Sequence, residues 1–494
     1  MTTSEHPIHV DSPTTPEVRG IEIVTEAERH GRARDLFAVW AAPNISVLNF
    51  TVGASLTLMG LEVWQSVLTT IAAGLLWILP GIVSISGPAA GTSGSVVQRA
   101  IYGIRGNKVV IAFYGWFISG VFLALNWVAS SFMGAELLSR WGWMSKPAAL
   151  VLVTIVVAGI TILVAIYGHG LILRAYGYLT VGLLIAFLLV SSFIVERIDW
   201  GFSQPEPLHG IALWSAVSIA FAIQASSPLS FSNSADMARY LPKDTKPWAI
   251  VTATALGGAL PGTVFSVVGI YLATVVPPES LDVGVEYAML DLLPMWVAPV
   301  FVLGVILTTI SLNGMTTYTA SMAFQSIGIP IRRIPSAVVI GVLGAAFTLY
   351  LVNATSLLSA VNLMLQFLIL ISAPTMAVYV TDIVLRRNRY DGPGLFVENP
   401  SGPFWFHGGW SLAGMGAAIA GAVLGSLFIT TEVFTGPIAA ALGFIDLSVP
   451  VALLVSVGLY AACAGRGIRR QLATAPPVTD DNHNTCNSTK GVSS

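Results

Sequence analysis

Apolar residues in this chain do not alternate with polar ones. They gather in long runs separated by short polar stretches. Twelve runs are long enough to cross a bilayer as helices: 36–60, 64–86, 109–135, 147–166, 171–195, 210–235, 247–276, 294–328, 334–353, 357–381, 409–430 and 439–465. Inside these windows only Arg174 and Asp446 are charged, each close to an end. Buried helices of a soluble protein would show a polar face, and a run such as 151–166 (VLVTIVVAGITILVAI) has none. The pattern predicts an all-α integral membrane protein of twelve transmembrane helices whose main surroundings are the lipid bilayer.

Composition removes the competing reading. At about 150 residues per domain, 494 residues would make roughly three soluble domains, but the chain is 55% hydrophobic and only 10% charged. Soluble domains carry roughly 25% charged residues. A net charge of −2 gives no reason to expect a nucleic-acid partner, and no obligate protein partner is inferred. Cys463 and Cys486 cannot build a disulfide framework. The polar start of the chain shows no apolar segment of a cleavable signal peptide. Of the 23 Lys and Arg residues, all but Arg140, Lys146 and Arg197 fall on the side of the N-terminus. By the positive-inside rule both termini are expected in the cytoplasm, in a multi-pass protein of the plasma or inner membrane.

The same reading divides the chain. Residues 1–34 and 467–494 are expected to be disordered cytoplasmic tails, rich in Thr, Ser, Pro and Asn. Between them, 35–200 and 201–390 would form two five-helix repeats, and 391–466 two further helices. The long connector 87–107 (GPAAGTSGSVVQRAIYGIRGN) reads as an ordered, turn-containing element.

Enzyme signatures are missing: no phosphate loop, no GxSxG, no HExxH and no paired CxxC. No histidine pair has metal-ligand spacing, and the runs hold no cluster of deep carboxylates. The chain is therefore not expected to be an enzyme or to carry a cofactor. The informative places are interruptions. Run 1 contains AAPNISVLN (41–49), with Asn44 in the break, and run 6 contains ASSPLSFSN (225–233), with Ser227 and Phe231. Backbone freed by a break finds no partner in lipid, so broken helices line cavities. Breaks five helices apart fit inverted repeats that hold substrate and coupling ion at the midplane; two ordinary proline kinks are the plainer alternative.

After the second break, Ser232 or Asn233 could cap a half-helix. Asp236 and Arg239, three apart, could pair along it, in a structural or gating role. Run 8 contains ILTTISLNGMTTYTASMAFQ (306–325). Its hydroxyls suit either a hard cation such as sodium or helix packing. Trp116, inside run 3, is either a packing residue or a stacking platform for a planar ring.

These segments together resemble the nucleobase–cation symporter-1 family, which includes purine–cytosine permeases and hydantoin and allantoin transporters. The resemblance covers about residues 35–390. It rests on 87–106, YGWF (114–117), SNSADMARYLPKDT (232–245), SLNGMTTYTASMAFQSIG (311–328), IRRIPS (331–336) and APTMAVYVTDIVLRR (373–387). It implies the five-plus-five inverted repeat of leucine-transporter-like proteins, with two extra C-terminal helices. It also implies uptake of a small planar heterocycle driven by sodium or protons.

Residue by residue, Trp116 matches the family's ring-stacking tryptophan, and Gly120 stands where relatives often have Gln or Asn. Ser227 occupies the place of a second stacking Trp, a role Phe231 could take. Thr317, with Asn313 nearby, falls around the family's substrate-contacting position in run 8. Ser311 matches a sodium-site hydroxyl, but Leu312 replaces its neighbour. The rest of that site would be backbone carbonyls near Ala42 and Ile45 and around Thr308. Protons are thus slightly favoured over sodium as the coupling ion. A cavity without charge favours a neutral substrate of cytosine or purine type. Hydantoin, allantoin, vitamin-like or nucleoside substrates are alternatives, as is a channel or a transporter-derived sensor.

Overall fold

The structure is a computed structural model that describes residues 14–232, 234–277, 284–352, 357–431 and 433–474. Among the described residues it is helical throughout, with only two isolated β-bridges. The first span is bent by 57° between α1a (Asp35–Asn44) and α1b (Val47–Leu58). There follow α2 (Val63–Ala90), α3 (Ile104–Arg140), α4 (Lys146–Tyr167) and α5 (His169–Val195). The sixth span is α6a (Gly210–Ser230) with the short α6b (Ala235–Ala238). Then come α7 (Pro247–Val275), α8 (Ala298–Ile327), α9 (Arg333–Leu351), α10 (Leu357–Arg386), α11 (Leu412–Ser426) and α12 (Ser448–Thr474). The protein is thus a multi-pass membrane protein. All twelve expected runs carry a helix, although α11 is short for a span at 15 residues.

Packing reveals the repeat. Helix α1 packs on α7 and α5, while α6 packs on α2 and α10. Helix α3 packs on α4 and α9, while α8 packs on α9 and α4. Advancing every number of the first set by five, with α7 returning to α2 and α9 to α4, gives the second set. Five helices per repeat is odd, so the second repeat enters from the opposite face. This is the five-plus-five inverted repeat, with α11 and α12 packed on α10 and on each other. Among the unbroken spans α8 is the most enclosed, with 72% of its apolar window buried against 28% for α5. The outer helices turn residues such as Val151, Ile155, Val181 and Ile185 outward, where lipid receives them.

Two expectations about the tails need correction. Residues 14–34 are built into the bundle on the face where α1a begins, hereafter the tail face. Glu17, Val24 and Glu28 are buried there. The segment is polar, but its backbone and charges have protein partners: Arg239 donates to the Gly20 carbonyl at 2.6 Å and Arg29 to those of Pro88 and Leu241. At the other end α12 continues to Thr474, past the expected boundary at 466. The connector 87–107 is ordered and mostly buried, with Gly91 and Gly103 in left-handed turns at φ 68° and 78°.

Candidate functional site

The first break shows how the sequence satisfies its freed backbone. Helix α1a stops at Asn44, one residue after Pro43, and Ser46 caps α1b by accepting the Leu48 amide at 3.2 Å. The stranded carbonyls are taken up by side chains. Asn44 Nδ2 donates to the Trp40 carbonyl at 2.8 Å, Asn49 Nδ2 to the Asn44 carbonyl at 2.6 Å, and Thr308 Oγ1 to the Ile45 carbonyl at 2.7 Å. At the second break α6a ends at Ser230, whose carbonyl accepts the Tyr114 hydroxyl at 2.5 Å. Asn233, a candidate cap, lies outside the described residues.

Between the breaks lie two chambers that share Phe122 and Phe231 in their walls. The first is walled by Trp40 of α1a, Tyr114, Ile118 and Ser119 of α3, and Ser230. It is completed by Met237 after the second break, Met315, Thr316 and Thr319 of α8, and Leu368 of α10. The second lies against α1b and α6a and presents Asn44, Ser46, Asn49, Gln224 and Ser227, with Leu312 from α8. Neither wall contains Asp, Glu, Lys, Arg or His. What they offer is neutral hydrogen-bonding groups and aromatic rings. Phe231 stacks on Trp77 at 5.3 Å and meets Trp40 edge-on at 5.0 Å. The Trp40 indole N–H is buried without a protein acceptor.

Of the expected substrate-contacting residues, the chambers bring together Asn44, Ser227 and Phe231. The other four are elsewhere. Trp116 packs edge-on against Phe324 of α8 at 5.1 Å, in an apolar cluster with Trp127 and Ile310, and it walls neither chamber. Gly120 is half-buried and likewise absent from the walls; a Cβ there would meet nothing within 4 Å. Asn313 is tied to α3, donating to the Leu123 carbonyl at 2.9 Å and accepting from Asn126 at 3.1 Å. Thr317 is buried outside both walls. The physical reason is helix rotation. On α3 the chamber face is 114, 118, 119 and 122, and on α8 it is 312, 315, 316 and 319. Gly120, Asn313 and Thr317 are turned off that face by about 100° per residue, and Trp116 lies in a π-helical stretch with a wider turn. Trp40, Phe122, Asn49, Gln224 and Thr319 went unnoticed in the sequence, although the spacing of four from Tyr114 to Phe122 was available as a signal.

Of the residues expected to form a cation site, Ile45 and Thr308 meet across α1 and α8. Besides the Thr308–Ile45 bond, Ser311 Oγ donates to the Thr308 carbonyl at 2.8 Å, and the Ser311 carbonyl accepts the Tyr176 hydroxyl. Ala42 is fully buried at the same break.

Asp236 and Arg239 do not pair with each other. Arg239 donates to Glu17 Oε1 at 2.8 Å and to the Tyr318 hydroxyl at 2.9 Å. The hydroxyls of Tyr240 and Tyr318 also reach Glu17 Oε1, and the His169 amide reaches Oε2 at 2.8 Å. Arg333, opening α9, lies 3.4 Å from Oε2 and donates to the Glu17 carbonyl at 2.6 Å. Burial alone would raise the Glu17 pKa, but Arg333 and Arg239, helped by the His169 amide, hold it at about 2. This buried ionic hub closes the tail face.

Comparison with known proteins adds four findings. A family model described as "Permease for cytosine/purines, uracil, thiamine, allantoin" matches residues 23–451. The putative purine-cytosine permease YxlA of Bacillus subtilis (strain 168) is 24% identical over 465 residues, which is 90% of this chain and 95% of that protein. Among solved structures, the nucleobase-cation-symport-1 family transporter Mhp1, closed with bromovinylhydantoin bound, superposes with a TM-score of 0.68 at 16% identity over 93% of this chain and 97% of its own. A Na+-coupled sialic acid symporter follows at 0.57 and 11%, over 90% and 91%. At such identities the structural likeness speaks for the fold.

Proposed function

The chain belongs to the family of permeases for cytosine/purines, uracil, thiamine and allantoin, and from that premise we propose that it imports a neutral, planar nucleobase-like heterocycle by proton symport. It is a secondary transporter rather than an enzyme. The observation that carries the substrate reading is the pair of chambers at the two breaks, aromatic and polar yet without a charged side chain. A charged substrate would lose hydration there without gaining a counter-ion. A neutral ring loses less, and it gains the faces of Phe231 and Phe122, the Trp40 donor and the amides of Asn44, Asn49 and Gln224. Cytosine and purines fit this wall chemistry, in keeping with what the Bacillus relative's name says of that protein.

Protons are favoured over sodium by the α1–α8 junction. The Ile45 and Thr308 carbonyls already receive the Thr308 and Ser311 hydroxyls, and Leu312 supplies no oxygen. Sodium would have to compete with those bonds for its ligands. In proteoliposomes free of sodium, an inward-directed pH gradient should concentrate labelled cytosine or hypoxanthine, and labelled substrate should exchange against unlabelled. Strict sodium dependence with indifference to pH would reject proton coupling; absence of exchange would reject the carrier reading.

The skew of Lys and Arg towards the N-terminal side supports a cytoplasmic tail face. In intact cells and a background lacking Cys463 and Cys486, an impermeant thiol reagent should label Ser145→Cys and miss Asp244→Cys. Labelling only at 244 would invert the molecule.

A further inference from the structure

No chamber wall holds a group that titrates near neutrality, so a coupling proton needs a station close by. Asp236 is the one carboxyl adjoining the chamber among the described residues. Its neighbour in sequence, Met237, and its polar neighbour in space, Thr319, both wall the first chamber. Asp236 itself is fully buried. Oδ1 accepts the Gly94 amide at 2.7 Å, while Oδ2 has no well-formed hydrogen bond.

We propose that Asp236 carries the coupling proton on Oδ2, receiving it from the chamber and releasing it to the tail face. This rests on the proton-symport reading above. The step needs no other reactant: an O–H bond forms at Oδ2 on loading and breaks on release to water. Thr319 is placed to relay the proton, accepting one from the chamber while giving up its own.

The surroundings define what loading changes. The ionisable groups around Asp236 are Arg239 on its own segment, Glu17 of the N-terminal segment and Tyr379 of α10. Arg239 is committed to Glu17 and Tyr318, and the Tyr379 hydroxyl shares a hydrogen bond with Ser86 at 2.9 Å. Asp236 thus lacks a direct ion pair among the described residues. With Asp236 ionised, two carboxylates balance Arg239 and Arg333. With Asp236 protonated, the hub holds one positive charge in excess, which favours hydration and therefore opening of the tail face. Opening exposes Asp236 to cytoplasmic water, where the proton leaves and the hub closes again.

The test compares wild type, Asp236→Asn and Asp236→Glu in sodium-free proteoliposomes. Wild type should concentrate labelled cytosine under a pH gradient and acidify a trapped pH dye as substrate enters. Asp236→Asn should exchange substrate within about twofold of wild type yet reach only the equilibrium level. Asp236→Glu should regain accumulation. Accumulation by Asp236→Asn at the wild-type ratio overturns the assignment, whereas a wild type blind to the pH gradient overturns the proton-symport reading instead. Should Asp236→Asn fail to fold, wild-type protein labelled with 13C-Asp decides. Its infrared spectrum should show a carboxylic-acid band that is lost as pH rises and is missing from Asp236→Glu at the same frequency, and a featureless titration rejects the proposal.

Discussion

The substrate chambers and the ionic hub lie within one bundle, but they are built on opposite rules. The chamber walls contain no formal charge, while the hub beside them packs Glu17, Arg239 and Arg333 out of contact with water. Charge in the chambers would bind water or ions in competition with a neutral ring. At the hub it gives a closure that is strong when paired and costly when opened. A buried ion pair contributes little net stability over an apolar replacement, but breaking it by removing one partner is expensive. That asymmetry suits a gate better than a binding surface.

The sharpest way to break the comparison is Glu17→Ala. It leaves two buried guanidiniums without their shared carboxylate, a loss of about 3–5 kcal/mol by analogy with other buried pairs. Thermal unfolding in detergent should show a large downward shift, and pH-driven uptake should fall with it. Glu17→Gln, which keeps a hydrogen-bond acceptor, should fall between. The wild type supplies a pH signature as well. Folded Glu17 is held at about 2 against an ordinary 4.5, so its stabilisation is complete above the ordinary value and drains away as pH falls through the folded one. Glu17→Ala should lack this acid-side component. Unchanged stability in Glu17→Ala would mean that the N-terminal segment merely rests on the bundle.

How far the sequence foretold each region follows from the range of the forces involved. Spans and breaks are local: length and apolarity define a crossing, and Pro43 or Pro228 among hydroxyls and amides defines an interruption. Both were legible. The hub was not, because Glu17 meets Arg239 across 222 residues, and nothing in a polar N-terminal stretch announces a distant partner. Helix rotation was the second blind spot. The family resemblance pointed to Trp116 and Thr317, but which stripe faces inward depends on how α3 and α8 pack. Helix α3 also carries a π-helical stretch at Ile111–Ile118, whose extra residue per turn shifts the register that a 3.6-residue count would give. Asn44, Ser227 and Phe231 do line the second chamber, because a break fixes its own neighbourhood without reference to rotation.

That rotation is the smaller and finer test, because it sets one tryptophan against another inside the same bundle. Both indole N–H groups lack a protein acceptor, so an unpaired donor does not distinguish them; position does. Trp40 walls the first chamber beside Phe231, whereas Trp116 fills a contact between α3 and α8. Stacking on an aromatic ring is worth about 1–3 kcal/mol per base, and each 1.4 kcal/mol is about tenfold in affinity. Trp40→Ala should therefore weaken substrate binding by about 10- to 100-fold. Trp40→Phe keeps a ring but not the donor, and should lose less. Trp116→Ala opens a packing defect away from the substrate, so it should lower the unfolding temperature while shifting affinity less than about threefold. Binding by isothermal titration or scintillation proximity on purified protein reads all three variants. If Trp116→Ala abolishes binding while Trp40→Ala leaves it intact, α3 presents its other stripe to the substrate, and the chamber wall must be redrawn around Trp116 and Gly120.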